Sequence, residues 1–240
     1  MKMMARRAAG LLFVLAACAA AASCSAAGDA PAPTVGASSP ATPPAIPPPT
    51  ARSERPRVVC LGDSLTAGLG LASADQAYPA LLGARLAKAG FDYEVINAGV
   101  SGDTSAGGLR RLDWSLQGHV RVLIVALGAN DGLRGLPPSE LEANLETIVS
   151  TAQERRVRVL LLGMEAPPNF GAGYTQDFRA VYRRVAADHH VPLIPFFLEG
   201  VAGIGRLNQA DGIHPTAEGQ RRIAETIWRT LESMITAQTS

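Results

Sequence analysis

From Arg57 onward the sequence alternates between short apolar runs and amphipathic segments, and this alternation is the feature that most constrains the fold. The runs over 120–127 and 157–162 are almost uninterrupted, which is typical of strands buried on both faces of a parallel sheet. Between these runs, apolar residues recur with helical spacing at Leu141, Leu145, Ile148, Val149 and Ala152. Strands that alternate with helices predict an α/β fold in which helices cover both faces of a parallel sheet.

The same patterns predict further strands over 58–61, 93–96 and 191–194 and further helices over 77–89, 105–116, 175–188 and 216–235. Ser139 and Glu142 fit a capping box at the start of the helix that carries Leu141. In open α/β sheets, ligands bind beyond the carboxyl ends of the strands. The segments that directly follow the predicted strands are therefore where chemistry is expected.

Three of these segments carry polar residues suited to catalysis. Gly62-Asp63-Ser64-Leu65 places a serine directly after the first strand, although a turn or helix-cap serine would look the same. Residues 97–104 form a glycine-bearing loop, and glycines let backbone amides approach a ligand closely. Gly128-Ala129-Asn130-Asp131 follows the most apolar strand, where an Asn-Asp pair could also be an ordinary turn.

Near the end of the chain, Asp211-Gly212-Ile213-His214-Pro215 places an acid three residues before an imidazole. Around a turn, that spacing lets the carboxylate reach Nδ1 and leaves Nε2 free to face a serine. Pro215 suits the first position of the following helix, which would place the histidine at a helix start. A satisfied structural histidine is the alternative interpretation.

Taken in order, Gly62-Asp63-Ser64-Leu65, Gly102, Gly128 with Asn130, and Asp211 with His214 resemble the four sequence blocks of SGNH (GDSL-type) hydrolases. The stretches 97–104, 128–135 and 164–174 are similar to the arylesterase, lysophospholipase and thioesterase I subgroup. The resemblance covers about residues 57–235, with Ala129 standing where relatives often have a second glycine. It implies a three-layer α/β/α sandwich with a flavodoxin-like sheet.

The resemblance also implies the roles of the residues. Ser64 would be the nucleophile, His214 the general base and acid, and Asp211 the group that orients the imidazole. The oxyanion hole would use the backbone amides of Ser64 and Gly102 and the side-chain amide of Asn130. The reaction expected is hydrolysis of acyl esters, thioesters or lysophospholipids through an acyl-serine intermediate, without a metal or other cofactor.

Two other functions stay open from the sequence. One is deacetylation of carbohydrates, which the same superfamily performs, and the other is a non-catalytic envelope binding module. For the substrate, Phe170 and Tyr174 offer apolar surface after the fourth strand, where they either line an acyl pocket or anchor the loop on the domain.

The N-terminus predicts export. Lys2, Arg6 and Arg7 precede an apolar run over 8–17, which is too short to span a bilayer but suits a signal peptide. The run ends in Leu-Ala-Ala-Cys18, which resembles a bacterial lipobox, so that Cys18 would be lipidated and would anchor the protein to a membrane of the cell envelope. An ordinary secretory signal, cut near Ala22 so that Cys18 is lost, is the alternative.

Residues 18–56 are expected to be a disordered linker, because nine of the chain's 17 prolines fall between Pro31 and Pro56 among small residues. The hydrolase domain would then occupy residues 57–240. A formal net charge of +1, without a basic block, gives no reason to expect a nucleic-acid partner, and a monomer is expected. Cys60 lies in a strand pattern and is expected to be a buried, small apolar residue.

Overall fold

The computed structural model describes residues 55–237. The predicted signal peptide, Cys18 and almost all of the predicted linker lie outside the described residues, so those expectations stay predictions. Within residues 55–237, no helix is both long and apolar enough to cross a membrane.

The centre of the domain is a sheet of five parallel strands: β1 (Arg57–Gly62), β2 (Glu94–Gly99), β3 (Val120–Ala126), β4 (Arg158–Leu162) and β5 (Leu193–Ile194). Their spatial order is β2-β1-β3-β4-β5, which is the flavodoxin-like order. The predicted α/β fold with a parallel, flavodoxin-like sheet is therefore confirmed. In this order β1 lies between β2 and β3. The chain therefore adds β2 on one side of β1 and then adds β3, β4 and β5 on the other side.

Eight α-helices are present among the described residues: α1 (Ser64–Ala67), α2 (Tyr78–Lys88), α3 (Ser105–Arg110), α4 (Leu112–Ser115), α5 (Ala129–Leu133), α6 (Pro138–Glu154), α7 (Ala172–Asp188) and α8 (Ala217–Thr236). The first long helix, α2, packs against α8, while α6 packs against α3 and α7. These two groups of helices form the outer layers of the α/β/α sandwich. Short 3₁₀ turns cover 74–76, 168–170 and 205–207.

The core forms where the sequence patterns place it. In β3 every residue except Arg121 is buried, as expected for a strand covered on both faces. The five apolar residues of α6 that share one face are all at most 1% exposed. Full burial of a large apolar side chain contributes about 1.5–3 kcal/mol, so this layer accounts for much of the stability. Cys60 in β1 is fully buried, as predicted.

Three local predictions were wrong. The helix expected over 105–116 is interrupted at Arg111, which ends α3 and begins α4. No capping box forms at Ser139, because α6 already begins at Pro138 and the Glu142 carboxylate accepts hydrogen bonds from Arg184 instead. Pro215 is not the first residue of the last helix, which begins at Ala217, one residue after the predicted start at Thr216.

Candidate active site

Ser64 lies at the tight junction between β1 and α1. The strand ends at Gly62, and a Cβ there would come within 2.0 Å of the Thr66 Oγ1 atom, so the turn requires glycine. Asp63 caps the helix, since its Oδ1 atom accepts a hydrogen bond from the amide of Leu65 at 2.9 Å. Ser64 is thus the first helical residue, where a backbone amide has no acceptor within the helix.

The three residues of the predicted triad come together at the carboxyl edge of the sheet. His214 Nε2 lies 2.9 Å from the Ser64 Oγ atom. On the other side of the ring, His214 Nδ1 lies 2.6 Å from the Asp211 Oδ2 atom. A carboxylate at Nδ1 selects the tautomer in which Nε2 is free to accept the serine proton. This is the geometry of a nucleophile, its base and a group that orients the base.

Asp211 shapes its own loop as well as orienting the ring. Its Oδ1 atom accepts hydrogen bonds from the amides of Ile213 at 2.9 Å and His214 at 3.0 Å. The hydrogen bond from the His214 ring, together with these two backbone bonds, lowers the pKa of Asp211 to about 2. The carboxylate is therefore ionised throughout the neutral range, although its side chain is 45% exposed.

A short antiparallel bridge between Asn208 and Pro215 closes the loop that carries His214. Within it, the Gln209 amide donates to the His214 carbonyl at 2.7 Å. The Gln209 side chain also donates to the carbonyls of Leu69 and Pro215, which ties the loop to the segment after α1. Pro215 thus belongs to the bridge, and Thr216 caps α8, which explains why that helix starts later than predicted.

The predicted oxyanion residues lie on neighbouring strand ends. Gly102 follows β2 and has φ +84°, a backbone conformation that favours glycine. Asn130 lies in α5, directly after β3, and its Nδ2 atom donates to the Asp103 carbonyl at 2.9 Å. A second, longer contact of 3.4 Å joins Nδ2 to the Asp63 Oδ2 atom. The amide is thus held firmly through one proton and only loosely through the other.

The sequence matches the profile of the GDSL-like Lipase/Acylhydrolase family over residues 60–222. The chain belongs to this family. Among curated members, it is 48% identical over 179 residues to Esterase TesA of Pseudomonas aeruginosa, covering 74% of this chain and 89% of that protein. It is 39% identical over 179 residues to Thioesterase 1/protease 1/lysophospholipase L1 of Escherichia coli, covering 74% and 84%.

Solved structures agree with the assignment to the GDSL family. A crystal structure of TesA matches with a TM-score of 0.71 and 46% identity over 75% of this chain and 99% of that chain. The psychrotrophic esterase EstA from a Pseudoalteromonas species, inhibited by monoethylphosphonate, matches with the same TM-score at 32% identity, over 75% and 98% of the two chains. The predicted membership of the SGNH hydrolases is confirmed.

This GDSL-family chain also contains a largely apolar cavity of about 380 Å³. Its wall includes the direct neighbours of the site residues Ser64, Asn130 and His214, namely Leu65, Ala129 and Ile213. The rest of its apolar wall comes mainly from Leu133, Met164, Ala166, Pro167, Pro168, Phe196 and Leu198. A cavity of this size and polarity suits a small acyl group.

Neither Phe170 nor Tyr174 lines this cavity. Tyr174 lies in α7, and its hydroxyl donates to the Leu136 carbonyl at 2.8 Å. Phe170 packs on the Tyr174 ring, with the two centroids 5.2 Å apart, and lies beside Gly135. These contacts match the loop-anchor alternative, whereas an acyl-pocket role for the two rings stays a prediction. Sequence patterns mark both rings as apolar but do not show in which direction each ring points.

Two buried acids beside the site have roles that the sequence did not reveal. Asp63 is 1% exposed, and burial raises its pKa to about 6, although the Leu65 amide and nearby His214 act to lower it. Asp131 is 2% exposed and accepts hydrogen bonds from the amide and hydroxyl of Ser105, at 2.8 and 2.5 Å. Asn144 completes this network through its bond to the Ser105 hydroxyl. Both acids stand inside recognisable motifs, but only the fold shows that they are buried.

No group of three or more His, Cys, Asp or Glu side chains in residues 55–237 is arranged to hold a metal ion.

Proposed function

We propose that this chain is a serine esterase that hydrolyses acyl esters through an acyl-serine intermediate on Ser64. The observation that carries the proposal is the unbroken contact from Ser64 Oγ through the His214 ring to Asp211. A serine hydroxyl is a weak nucleophile until an adjacent base accepts its proton. Here the base is already within hydrogen-bond distance and is oriented by an ionised carboxylate.

In the first half of the reaction, His214 Nε2 takes the Ser64 proton as Oγ attacks the ester carbonyl carbon. The carbonyl oxygen gains negative charge in the tetrahedral intermediate. When this intermediate collapses, the bond to the leaving alcohol breaks, and the imidazolium returns the proton to that alcohol. The second half repeats these steps with water as the nucleophile and releases the carboxylic acid from Ser64.

The negative oxygen is stabilised by the amides of Ser64 and Gly102 and by Asn130 Nδ2. One Asn130 proton is committed to the Asp103 carbonyl at 2.9 Å. The other faces Asp63 at 3.4 Å, which is long for a hydrogen bond, so an oxyanion can replace this contact at little cost. Donors that are positioned before the reaction need no reorganisation as charge develops.

The names of the relatives support a range of acyl substrates. They include an esterase, an arylesterase of Vibrio mimicus, which is 39% identical over 172 residues (71% of this chain, 86% of that protein), and the thioesterase/lysophospholipase. Simple acyl esters, lysophospholipids and acyl thioesters are therefore the substrates we propose, with the acyl group in the cavity beside Leu65 and Ile213. The protein is proposed to act as a monomer.

Hydrolysis of p-nitrophenyl esters from acetate to palmitate tests the function. We expect the chain to be active and Ser64→Ala to lose activity by about 10⁶-fold, because the variant has no nucleophile. Ser73→Ala is the matched control, since Ser73 is exposed and its side chain caps no helix amide. If the folded wild type leaves the whole series uncleaved, the esterase proposal fails and deacetylation of acetylated glycans becomes the next assay.

We also propose that the protein is exported and anchored to the cell envelope through Cys18. The basic start, the short apolar run and Leu-Ala-Ala-Cys support this proposal. Metabolic labelling with a palmitate analogue tests it: the wild type is expected to be labelled and Cys18→Ser to be unlabelled. Equal labelling of the two would disprove lipidation at this residue.

A further inference from the structure

One guanidinium group joins three separate segments directly behind the candidate site. Arg111 Nε donates to the Asp103 Oδ2 atom at 2.7 Å, Nη1 to the Ala98 carbonyl at 2.6 Å and Nη2 to the Gly62 carbonyl at 2.7 Å. The side chains of Arg111 and Asp103 are only 18% and 17% exposed. All three acceptors are thus bound by one rigid planar group with little access to water.

Each of these contacts leads to a different proposed oxyanion donor. Gly62 ends β1 and stands two residues before Ser64. Ala98 lies near the end of β2, the strand that leads into the loop containing Gly102. Asp103 follows Gly102 directly, and its carbonyl accepts the hydrogen bond from Asn130 Nδ2.

We propose that Arg111 is a positioning residue that keeps the three proposed oxyanion donors in fixed positions relative to one another. This inference rests on the proposed esterase function and extends it to a residue that does not contact the substrate. It also explains the interruption of the predicted helix over 105–116. The break between α3 and α4 lies at the residue whose side chain reaches the ends of β1 and β2.

The chemistry of the group explains why arginine stands here. A guanidinium presents five N–H donors in one fixed plane, so it can bind a carboxylate and two carbonyls at once. A lysine carries a single flexible ammonium group that would preserve the charge pair with Asp103 but would not reproduce the fixed arrangement. Without the guanidinium, the partly buried Asp103 carboxylate loses its counter-charge, and the loop that bears Gly102 is free to shift.

The expected consequence is a loss of transition-state stabilisation rather than of substrate affinity. A displacement of catalytic groups by about 1 Å costs about 10²-fold in rate. Other residues line the proposed acyl cavity, among them Leu65, residues of α5 and residues of the loop after β5. We therefore expect Arg111→Ala to lower kcat by about 10²-fold while KM changes by less than about threefold.

The chain offers a matched control at the opposite end of the same two strands. Arg57 begins β1 and donates through Nε to the Glu94 Oε2 atom of β2 at 2.7 Å. Its side chain is 21% exposed, close to the value for Arg111. Arg57→Ala therefore removes an ion pair of similar burial from β1 and β2 but lies at the edge away from Ser64.

The experiment measures kcat, KM and urea unfolding for Arg111→Ala, Arg111→Lys and Arg57→Ala with a p-nitrophenyl ester. We expect kcat to fall for both Arg111 variants, less for lysine, and to stay within about twofold of wild type for Arg57→Ala. Guanidinium chloride at low millimolar concentration should partly restore kcat of Arg111→Ala, whereas an equal concentration of sodium chloride should not. If Arg111→Ala fails to fold, the lysine variant carries the test.

A double-mutant cycle locates the effect. Because Arg111 acts partly through Asn130, removing it from an Asn130→Ala background should reduce kcat by a smaller factor than in the wild type. Unchanged kcat in both Arg111 variants, or an equal loss in Arg57→Ala, would overturn the positioning role. Failure of the esterase proposal has a different signature, since the wild type itself would then leave the ester uncleaved.

Discussion

The two sides of the catalytic centre are built in opposite ways. Asp63 and Asn130, on the side of the proposed oxyanion hole, stand directly after strand ends and are fixed by contacts from several elements. On the other side, Asp211, whose side chain is 45% exposed, and His214 belong to a surface loop that is closed by the Asn208–Pro215 bridge and tied to Leu69 by Gln209. Donors must be fixed before charge develops, whereas a base that accepts and returns a proton needs only a correct orientation.

The largest effect on the exposed side should come from Asp211→Asn. The asparagine can keep the backbone contacts that shape the loop, but its amide would face Nδ1 with a donor and favour the wrong tautomer of His214. We expect kcat to fall by about 10⁴-fold with little change in urea unfolding. Asp75→Asn, at another exposed aspartate, is the control; a loss of activity below about tenfold would show that the loop does not act through the carboxylate.

On the buried side, Asn130→Ala should have a smaller effect on rate. Two backbone donors remain, and loss of one oxyanion donor typically costs about 10²–10³-fold in kcat. The change should leave KM nearly constant, because the donor acts on the transition state. Asn144→Ala is a useful comparison, since it removes a partly buried amide contact from the adjacent network without removing a proposed donor to the oxyanion. Full activity in Asn130→Ala would refute its assignment to the oxyanion hole.

The smallest expected effect concerns stability and again separates the two sides. Because the pKa of Asp63 is about 6 in the folded chain, against an ordinary value of 3.8, the folded state binds this proton more tightly than the unfolded state. Stability linked to this group is therefore present below pH 3.8 and lost as pH rises to about 6. Asp63→Asn should remove that loss.

Urea unfolding of both proteins between pH 4 and pH 7 is the measurement. We expect the stability of Asp63→Asn relative to wild type to rise by up to about 3 kcal/mol across this range. The titratable side chains that act on the pKa of Asp63 are those of His214 and Asp131, and both are present in each protein. A difference that stays constant with pH would contradict the raised pKa. Because the pKa of Asp211 is lowered from 3.8 to about 2, its own effect on stability falls below pH 4.

Local patterns were sufficient for an α/β fold with a parallel sheet, and the family resemblance supplied the flavodoxin-like order, but neither showed the supports of the site. The continuous apolar run of β3 and the one-sided apolar face of α6 correctly predicted a buried strand and a covering helix, because both depend on nearest neighbours in sequence. Arg111 and Gly62 are 49 residues apart, and no periodicity marks their contact. The capping box failed for a related reason, since Glu142 found a distant partner in Arg184.

The site residues themselves were predictable in a different way. Ser64 and Asn130 each stand in a motif directly after a predicted strand, and His214 stands three residues after Asp211 in a motif that follows the last strand. The directions of Phe170 and Tyr174 were not predictable, because an apolar ring suits a pocket wall and a packing contact equally well. The burial of Asp63 and Asp131 depends on which helices cover the strand ends, which only the assembled fold shows.

The buried Gln220 of α8 has a consequence for biosynthesis. Its side chain accepts from the Tyr78 amide and donates to the Leu65 carbonyl, so the last helix is bonded to the segment directly after Ser64. Ser64 also emerges from the ribosome 150 residues before His214. A nascent chain that ends before His214 therefore lacks both the base and this brace, and we expect it to have no hydrolytic activity. Catalytic competence would then arrive in one step, after α8 has been synthesised.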